Sequence, residues 1–341
     1  MTFPAPSTVA VVEVEERAAG PGEVRVRTLL SGISAGTELT AYRGSNPHLS
    51  RRWDGDRRLF VDGPPTLVYP VDNAGYEEVG EVVEVGPDVE RLRPGARVWG
   101  AWGHRSGAVL AEERAVGRVL PGGAPPLHGV FARIGAIALN AILDAGVHLG
   151  ETVAIFGQGV PGLIATQLAH LSGATVVAVD SIPRRLELAA ALGATHVVDA
   201  CDGSAAERIR ELTGGRGVDV SIDLSGSYAA LNEAIRATAY GSRVVVSSFH
   251  QGGGDALRLG EEFHHNRIEL VSSQIGGIAS RLAHRWTPLR LERTVVDLAT
   301  EGRLEVEPLV THVLPVDRAA EAFRLLDERP EEAVQVVLDF S

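Results

Sequence analysis

Hydrophobic and polar positions follow two different rules along this chain. From residue 8 to 120 they alternate in short runs, as in Glu23-Val24-Arg25-Val26-Arg27 and 79–85, with turns marked by Gly86-Pro87 and Pro94-Gly95. Period-two alternation broken by glycine and proline predicts short, half-buried strands and an all-β region. From about residue 129 the pattern changes. Residues 134–143 are apolar with helical character, and after them β-branched runs alternate with helical stretches. The runs 152–156, 175–179, 196–199, 218–223, 243–247 and 268–272 predict six strands, with helices over 163–171 and over 184–192, the latter ending at Gly193. Strands that are apolar throughout and alternate with helices belong to a parallel sheet covered on both faces. A helix over 319–326 and a strand over 333–340 end the pattern and are expected to return to the first region.

Length and composition narrow this picture. A chain of 341 residues exceeds what one core usually supports, so two domains are expected. Hydrophobic residues at 45% and charged residues at 22% are ordinary for a globular α/β protein. The net charge of −12 opposes binding to nucleic acid or to anionic membrane surfaces. The single cysteine, Cys201, cannot form a disulfide framework or a cysteine-rich zinc lobe. Every basic residue is arginine, so no lysine serves as base or Schiff-base former. The opening MTFPAPSTVAVVEVEE lacks a basic segment ahead of its apolar run and does not read as a signal peptide. No uninterrupted apolar stretch is long enough to span a bilayer, and a cytoplasmic location is expected.

The strand 152–156 runs directly into Gly157-Gln158-Gly159-Val160-Pro161-Gly162, and a helix follows. The first glycine allows the tight turn, the second lets the backbone approach a pyrophosphate, and the third lets helix and strand pack closely. The helix N-terminus then faces the phosphates. A lone GxGxxG is weak, but here it sits between strand and helix in a βαβ unit, the context of a dinucleotide site on a Rossmann sheet. Asp180 ends the next strand, where an acid accepts hydrogen bonds from the ribose hydroxyls and repels a 2′-phosphate. NAD(H) is therefore favoured. Ser181 and the nearby Arg184 and Arg185 leave NADP(H) open. The later strand ends carry Ser225, Ser247, Ser248, Phe249 and Gln274, placed where ligands bind in open parallel sheets.

A β-rich first region, a central Rossmann unit and a C-terminal return resemble the medium-chain dehydrogenase/reductase superfamily over nearly the whole chain. Gly80-Glu-Val-Val-Glu-Val-Gly86 with Gly95-Ala-Arg-Val98 resembles that family's GroES-like barrel core. Ser31-Gly-Ile-Ser-Ala-Gly-Thr-Glu38 and Gly75-Tyr-Glu-Glu-Val-Gly80 are most similar to a subgroup with bacteriochlorophyllide dehydrogenase-like proteins. The resemblance implies an α/β fold with a GroES-like β-barrel catalytic domain at 1–125, completed by 276–341, and a Rossmann doubly wound parallel sheet at 126–275. It also implies a homodimer formed by edge pairing of the sixth strand. Zinc-dependent members have a cysteine where this chain has Ser34, a histidine where it has Tyr76, and a third ligand near Arg133. Hydroxyls are poor zinc ligands and an arginine repels the ion, so a zinc-free enzyme is expected.

Without zinc, side chains must handle the proton that accompanies hydride transfer. Tyr76 is the first candidate, with a neighbouring cation expected to lower its pKa. Ser34 and Thr37 could relay a proton or position the substrate, and Glu77 could orient them or cap the arginine. The long segment between Ser34 and Tyr76 holds His48, Arg51, Arg52, Trp53, Arg57 and Arg58. It reads as a solvated loop, with a lid over a polar substrate as the alternative. His104 and His128 read as core histidines, with a place in the cleft as the alternative, and Glu261-Glu262-Phe263-His264-His265 as a plain connector. Three functions remain open: an alcohol/ketone oxidoreductase for a polyol- or cyclitol-like small molecule, a zinc-free ene-reductase, and a cofactor-binding protein without catalysis.

Overall fold

Alternation along residues 23–32 builds the central strand of the first unit, because Val24 and Val26 are fully buried while Arg25 and Arg27 reach solvent. In the computed structural model, which describes all residues from Met1 to Ser341, this unit comprises Met1–Ala132 and Val310–Ser341. In chain order it contains β1 (Glu23–Gly32), α1 (Ala35–Arg43), β2 (Arg52–Asp54), β3 (Leu59–Val61), β4 (Glu77–Val85), β5 (Arg97–Gly100), β6 (Gly107–Ala111) and α2 (Glu112–Ala115). Helix α3 (Pro126–Ala145) runs from this unit into the second.

The second unit, Arg133–Leu309, contains β7 (Thr152–Phe156), α4 (Val160–Leu171), β8 (Thr175–Asp180), α5 (Pro183–Ala191), β9 (His196–Asp199), α6 (Ala205–Leu212), β10 (Val218–Asp223), α7 (Tyr228–Ala237), β11 (Thr238–Val246), β12 (Glu269–Ser272) and α8 (Pro288–Thr300). The chain then returns to the first unit with β13 (Val310–Pro315), α9 (Ala319–Glu328) and β14 (Gln335–Asp339).

Strand β1 organises the first unit. It pairs antiparallel with β4 along one edge, and with β6 and then β14 along the other. Register shifts between Arg25 and Val26 and between Thr28 and Leu30 mark the bulges in its pairing with β4. Bulges of this kind bend a strand and increase its twist. The core beside it joins Phe3, Ile33, Leu39, Tyr42, Phe323 and Leu338, with the Phe3 and Phe323 rings edge to face at 5.0 Å. Helix α1 lies inside the stretch whose pattern predicts only strands. Its nine residues are too few to display a helical period clearly, and Leu39 and Tyr42 are held by packing on this core.

The second unit is a six-stranded sheet in the order β12-β11-β10-β7-β8-β9, every neighbouring pair parallel. This is the doubly wound order, whose direction reverses between β7 and β10. All six strands occur where the β-branched runs predict them, with β11 starting earlier, at Thr238. The return to the first unit comes after Leu309, not at residue 276. The reason is α8, which buries Leu291, Val295, Val296 and Ala299 within the second unit, where Val295 packs against Gly135.

Helix α3 is the longest helix. By length and composition it is apolar enough to cross a membrane, although Arg133 interrupts it. It is mostly buried inside the protein, which is the situation of a core helix apolar all round.

Candidate functional site

The loop after β7 is shaped by close backbone packing. Gly157 has φ +89°, and a Cβ there would lie 2.6 Å from the Cα of Ser225. A Cβ on Gly162 would lie 1.9 Å from the carbonyl oxygen of Gly157. Gly159 differs, since a Cβ on it would meet only Pro161 Cδ at 4.0 Å. It is the N-cap of α4, a helix that begins at Val160 with no side-chain cap. Pro161 in the first turn has no N–H to satisfy. An uncapped helix N-terminus beside an open glycine fits a pyrophosphate, because the amides and the helix dipole both favour negative charge.

The Gln158 side chain turns inward and serves the loop itself. Its Nε2 donates to Ile155 O at 2.9 Å, and its Oε1 accepts from Thr166 Oγ1 at 2.9 Å. Its backbone N–H donates to Asp180 Oδ2 at 2.5 Å, and Ile182 N–H donates to Asp180 Oδ1 at 2.9 Å. The Asp180 carboxylate is thus fixed at the end of β8 and retains lone pairs for ribose hydroxyls. Ser181 is exposed beside it, and Arg185 lies in the first turn of α5.

At the ends of β10 and β11 the hydroxyls are already engaged. Ser225 Oγ and Ser248 Oγ donate to the two oxygens of Asp223 at 2.6 and 2.5 Å. His250 Nε2 lies 3.3 Å from Asp223 Oδ2, with the Tyr228 ring 4.7 Å from the imidazole. Burial raises the Asp223 pKa above the usual aspartate value, while these hydroxyls and His250 oppose the shift. Ser247 Oγ donates to Ser273 O at 3.1 Å, and Gln274 Oε1 accepts from Gly276 N–H at 2.6 Å. Phe249 is 42% exposed. Asp223 and His250 are absent from the sequence-based set. The available signal was an acid at the C-terminal end of a strand of the parallel sheet.

In the first unit, Ser34 Oγ and Tyr76 OH are hydrogen-bonded to each other. Thr37 is exposed in the first turn of α1. The Tyr76 pKa is raised, first by burial and then by the Glu77 carboxyl, while hydrogen bonds to Ser34 and Thr37 act the other way. This overturns the expectation of a cation that lowers it, because the charges beside Tyr76 are carboxyls. Glu77 does not cap Arg133, which donates to Glu292 Oε1 at 3.2 Å. Instead Glu77 is 1% exposed, and neither of its oxygens has a hydrogen-bond partner. Burial, then the charges of Glu38 and Glu78, push its pKa well above the carboxylate range. An unpaired buried carboxyl is far cheaper neutral than ionised, so the site favours the protonated form of Glu77.

His104 is not a lone core histidine. Its Nε2 lies 2.6 Å from Glu38 Oε2, and its Nδ1 lies 2.7 Å from Ser31 Oγ. Glu38 Oε1 also accepts from Ser34 N–H at 2.8 Å. Ser31 Oγ donates to Glu78 Oε1 at 3.1 Å, and Trp102 N–H donates to Glu78 Oε2 at 2.7 Å. Burial works against a charge on His104, but Glu38 and Glu78 outweigh it, and the imidazole pKa is raised.

The residues at the zinc-ligand positions do not fit zinc. They are two hydroxyls bonded to each other, and no three His, Cys, Asp or Glu side chains are grouped to hold a metal ion. His264 and His265 sit edge to face at 5.3 Å, also outside any such group. The segment after α1 forms the hairpin β2–β3, on which Trp53 and His48 each pack against Phe60 at 5.0 Å. Trp53, Arg57 and Arg58 remain exposed there.

Two family models match the chain, one described as an alcohol dehydrogenase GroES-like domain over residues 20–143 and one as a zinc-binding dehydrogenase over residues 161–289. The second match does not include Ser34 or Tyr76. The D-guloside 3-dehydrogenase of Shigella flexneri is 30% identical over 344 residues, covering 98% of each chain. Among solved structures, the alcohol dehydrogenase TADH of Thermus sp. ATN1 is 25% identical with a TM-score of 0.77, covering 99% of this chain and 98% of the other. A short chain alcohol dehydrogenase of Escherichia coli CFT073 complexed with NADH shares the fold at 22% identity and a TM-score of 0.77, with the same coverage.

Two outcomes follow from this geometry. Gly162→Ala should destabilise the protein by about 1–3 kcal/mol in urea unfolding, because its Cβ overlaps backbone. Gly159→Ala should leave stability within about 0.5–1 kcal/mol and weaken NADH binding in a fluorescence titration. Equal losses of stability would contradict the assigned roles. For Glu77, the folded pKa lies above the unfolded value of about 4.3. Its stabilising contribution is therefore complete below that value and lost as pH rises toward the folded pKa. Glu77→Gln should gain stability relative to the parent protein as pH rises above about 4.3, by at most about 1.4 kcal/mol per pH unit. A difference that does not vary with pH would contradict a neutral Glu77.

Proposed function

The chain belongs to the medium-chain dehydrogenase/reductase superfamily and is an NAD(P)-dependent oxidoreductase, and we propose that it interconverts a secondary alcohol and a ketone on a sugar- or cyclitol-like polyol, using NAD(H) and no catalytic zinc. The observation that carries this reading is the Ser34–Tyr76 hydroxyl pair at the positions of a thiolate and an imidazole. A bound nicotinamide supplies or accepts the hydride. The protein's own task is to move one proton at the substrate oxygen. Tyr76, with its raised pKa, stays protonated and acts as the donor to a developing alkoxide, and the proton returns along the same bond during oxidation.

Ser34 orients the phenol, Thr37 offers an exposed hydroxyl beside it, and Glu77 adds no negative charge while it remains neutral. A site lined by hydroxyls suits a substrate rich in hydroxyls, and a relative named for a glycoside substrate supports that class. Asp180, buried and held by two amides, supports NAD(H) over NADP(H). Gly157, Gly159, Val160 and Gly162 would hold the pyrophosphate on the α4 N-terminus, and the ends of β10, β11 and β12 the nicotinamide half. The unpaired edge of β12 supports a homodimer by strand pairing with a second copy.

Oxidation of a panel of glycosides and cyclitols, followed by product analysis, tests the reaction class. Saturation of a conjugated enone without any alcohol turnover would replace it with C=C reduction. Tyr76→Phe should lower kcat at least about tenfold while cofactor affinity is retained, and an unchanged kcat would remove Tyr76 from the mechanism. The ratio of kcat/KM for NADH to that for NADPH should exceed one, and the reverse order would count against Asp180 as the discriminator. Elemental analysis of unchelated, active protein should find no stoichiometric zinc. One zinc per chain would overturn the metal-free reading.

A further inference from the structure

Glu38 is the only group bonded both to Ser34 and to a buried base. Its Oε1 takes the Ser34 N–H, and its Oε2 takes His104. On the far side of the imidazole, Ser31 and Glu78 continue the chain to the backbone of Trp102. The hydroxyl of Ser31 has one proton, and the geometry gives it to Glu78, so Ser31 accepts from His104 Nδ1. With that assignment His104 donates from both nitrogens, the arrangement of an imidazolium, and Glu38 and Glu78 raise its pKa against its burial. The whole path is buried, since Ser31, Glu38, Glu78 and His104 are each at most 4% exposed.

The groups facing His104 are Glu38 from α1, Ser31 from β1 and Glu78 from β4, with the Met1 ammonium on the His104 carbonyl at 2.9 Å. Two carboxylates against one imidazolium keep the ring charged, and the charged ring keeps Glu38 at the start of α1. That start carries Ser34, whose hydroxyl holds Tyr76.

We propose that His104 and Glu38 are positioning residues for the proton donor, an ion pair that fixes the Ser34–Tyr76 hydroxyls from behind, with Ser31 and Glu78 locking the imidazole in turn. This rests on the reading of Tyr76 as the proton donor. The pair acts on catalysis only through that phenol, because no atom of it belongs to the hydroxyl pair itself.

A double-mutant cycle of His104→Gln with Tyr76→Phe tests it, with kcat and the KM for NADH measured for each variant. His104→Gln alone should lower kcat at least about tenfold and leave the NADH KM unchanged, as expected when a reacting group loses its alignment. On the Tyr76→Phe background the same substitution should cost little more. Ser31→Ala, which keeps the backbone and removes one link, should show a smaller loss with the same non-additivity, and it serves if His104→Gln does not fold. Glu38→Gln should behave like His104→Gln, whereas Glu38→Asp, which keeps the charge, should recover part of kcat. Full additivity, or an unchanged kcat in both His104→Gln and Ser31→Ala, overturns the proposal while the Tyr76 reading stands. A normal kcat in Tyr76→Phe alone overturns both.

Discussion

Four titratable side chains, Glu38, Glu77, Glu78 and His104, are buried together in the first unit with one base among three acids. Charge cannot be left unpaired at that depth, because desolvation costs several kcal/mol per ion unless a partner compensates. The protein meets this constraint in two ways. Glu38 and His104 form an ion pair tied to β1 through Ser31, and Glu78 receives the Ser31 hydroxyl and a backbone amide. Glu77, whose oxygens have no hydrogen-bond partner, has its pKa pushed well up, which favours the neutral acid. The same bonds join β1, α1, β4 and the turn at Trp102–His104, so the elements that hold Ser34 and Tyr76 are placed by the requirement to neutralise that cluster.

The second unit obeys a steric constraint instead. Backbone at Ser225 occupies the space where a Cβ on Gly157 would stand, and the Gly157 carbonyl occupies that of Gly162. Strand, turn and helix can approach this closely only with glycine at both places. The inward-facing Gln158 then ties the turn to Ile155 and Thr166, and its amide anchors Asp180. These hydrogen bonds and close contacts fix the conformation of the loop within the protein itself.

The two units carry different degrees of departure from the zinc enzymes that the chain resembles. The second unit keeps the glycine motif, the strand order and an acid, Asp180, at the end of β8. The first unit keeps the framework of β1 and β4 but replaces thiolate and imidazole by hydroxyls. The buried polar groups around these hydroxyls are the Glu38–His104 pair and the unpartnered carboxyl of Glu77.

Much of this was legible in the residues themselves. Six β-branched runs and one glycine motif specify the parallel sheet and its phosphate loop, because period, turn chemistry and local spacing are properties of neighbouring residues. That Ser34 and Tyr76 stand where zinc enzymes carry a thiolate and an imidazole came from the family resemblance, not from local pattern. Helix α1 was hidden because nine residues carry too little periodicity, and the boundary at Leu309 because only packing on α3 assigns α8 to its unit. The roles of Glu38, His104 and Glu77 were hidden for a deeper reason. His104 meets Glu38 across 66 positions and Ser31 across 73, and the sign of a buried group's pKa shift depends on which charges surround it. Sequence alone determined the glycine motif between strand and helix and the presence of hydroxyl side chains at Ser34 and Tyr76. Only tertiary structure decided which acids are charged, which is neutral and what holds the hydroxyls in place, because those properties arise from distances between residues far apart in the chain.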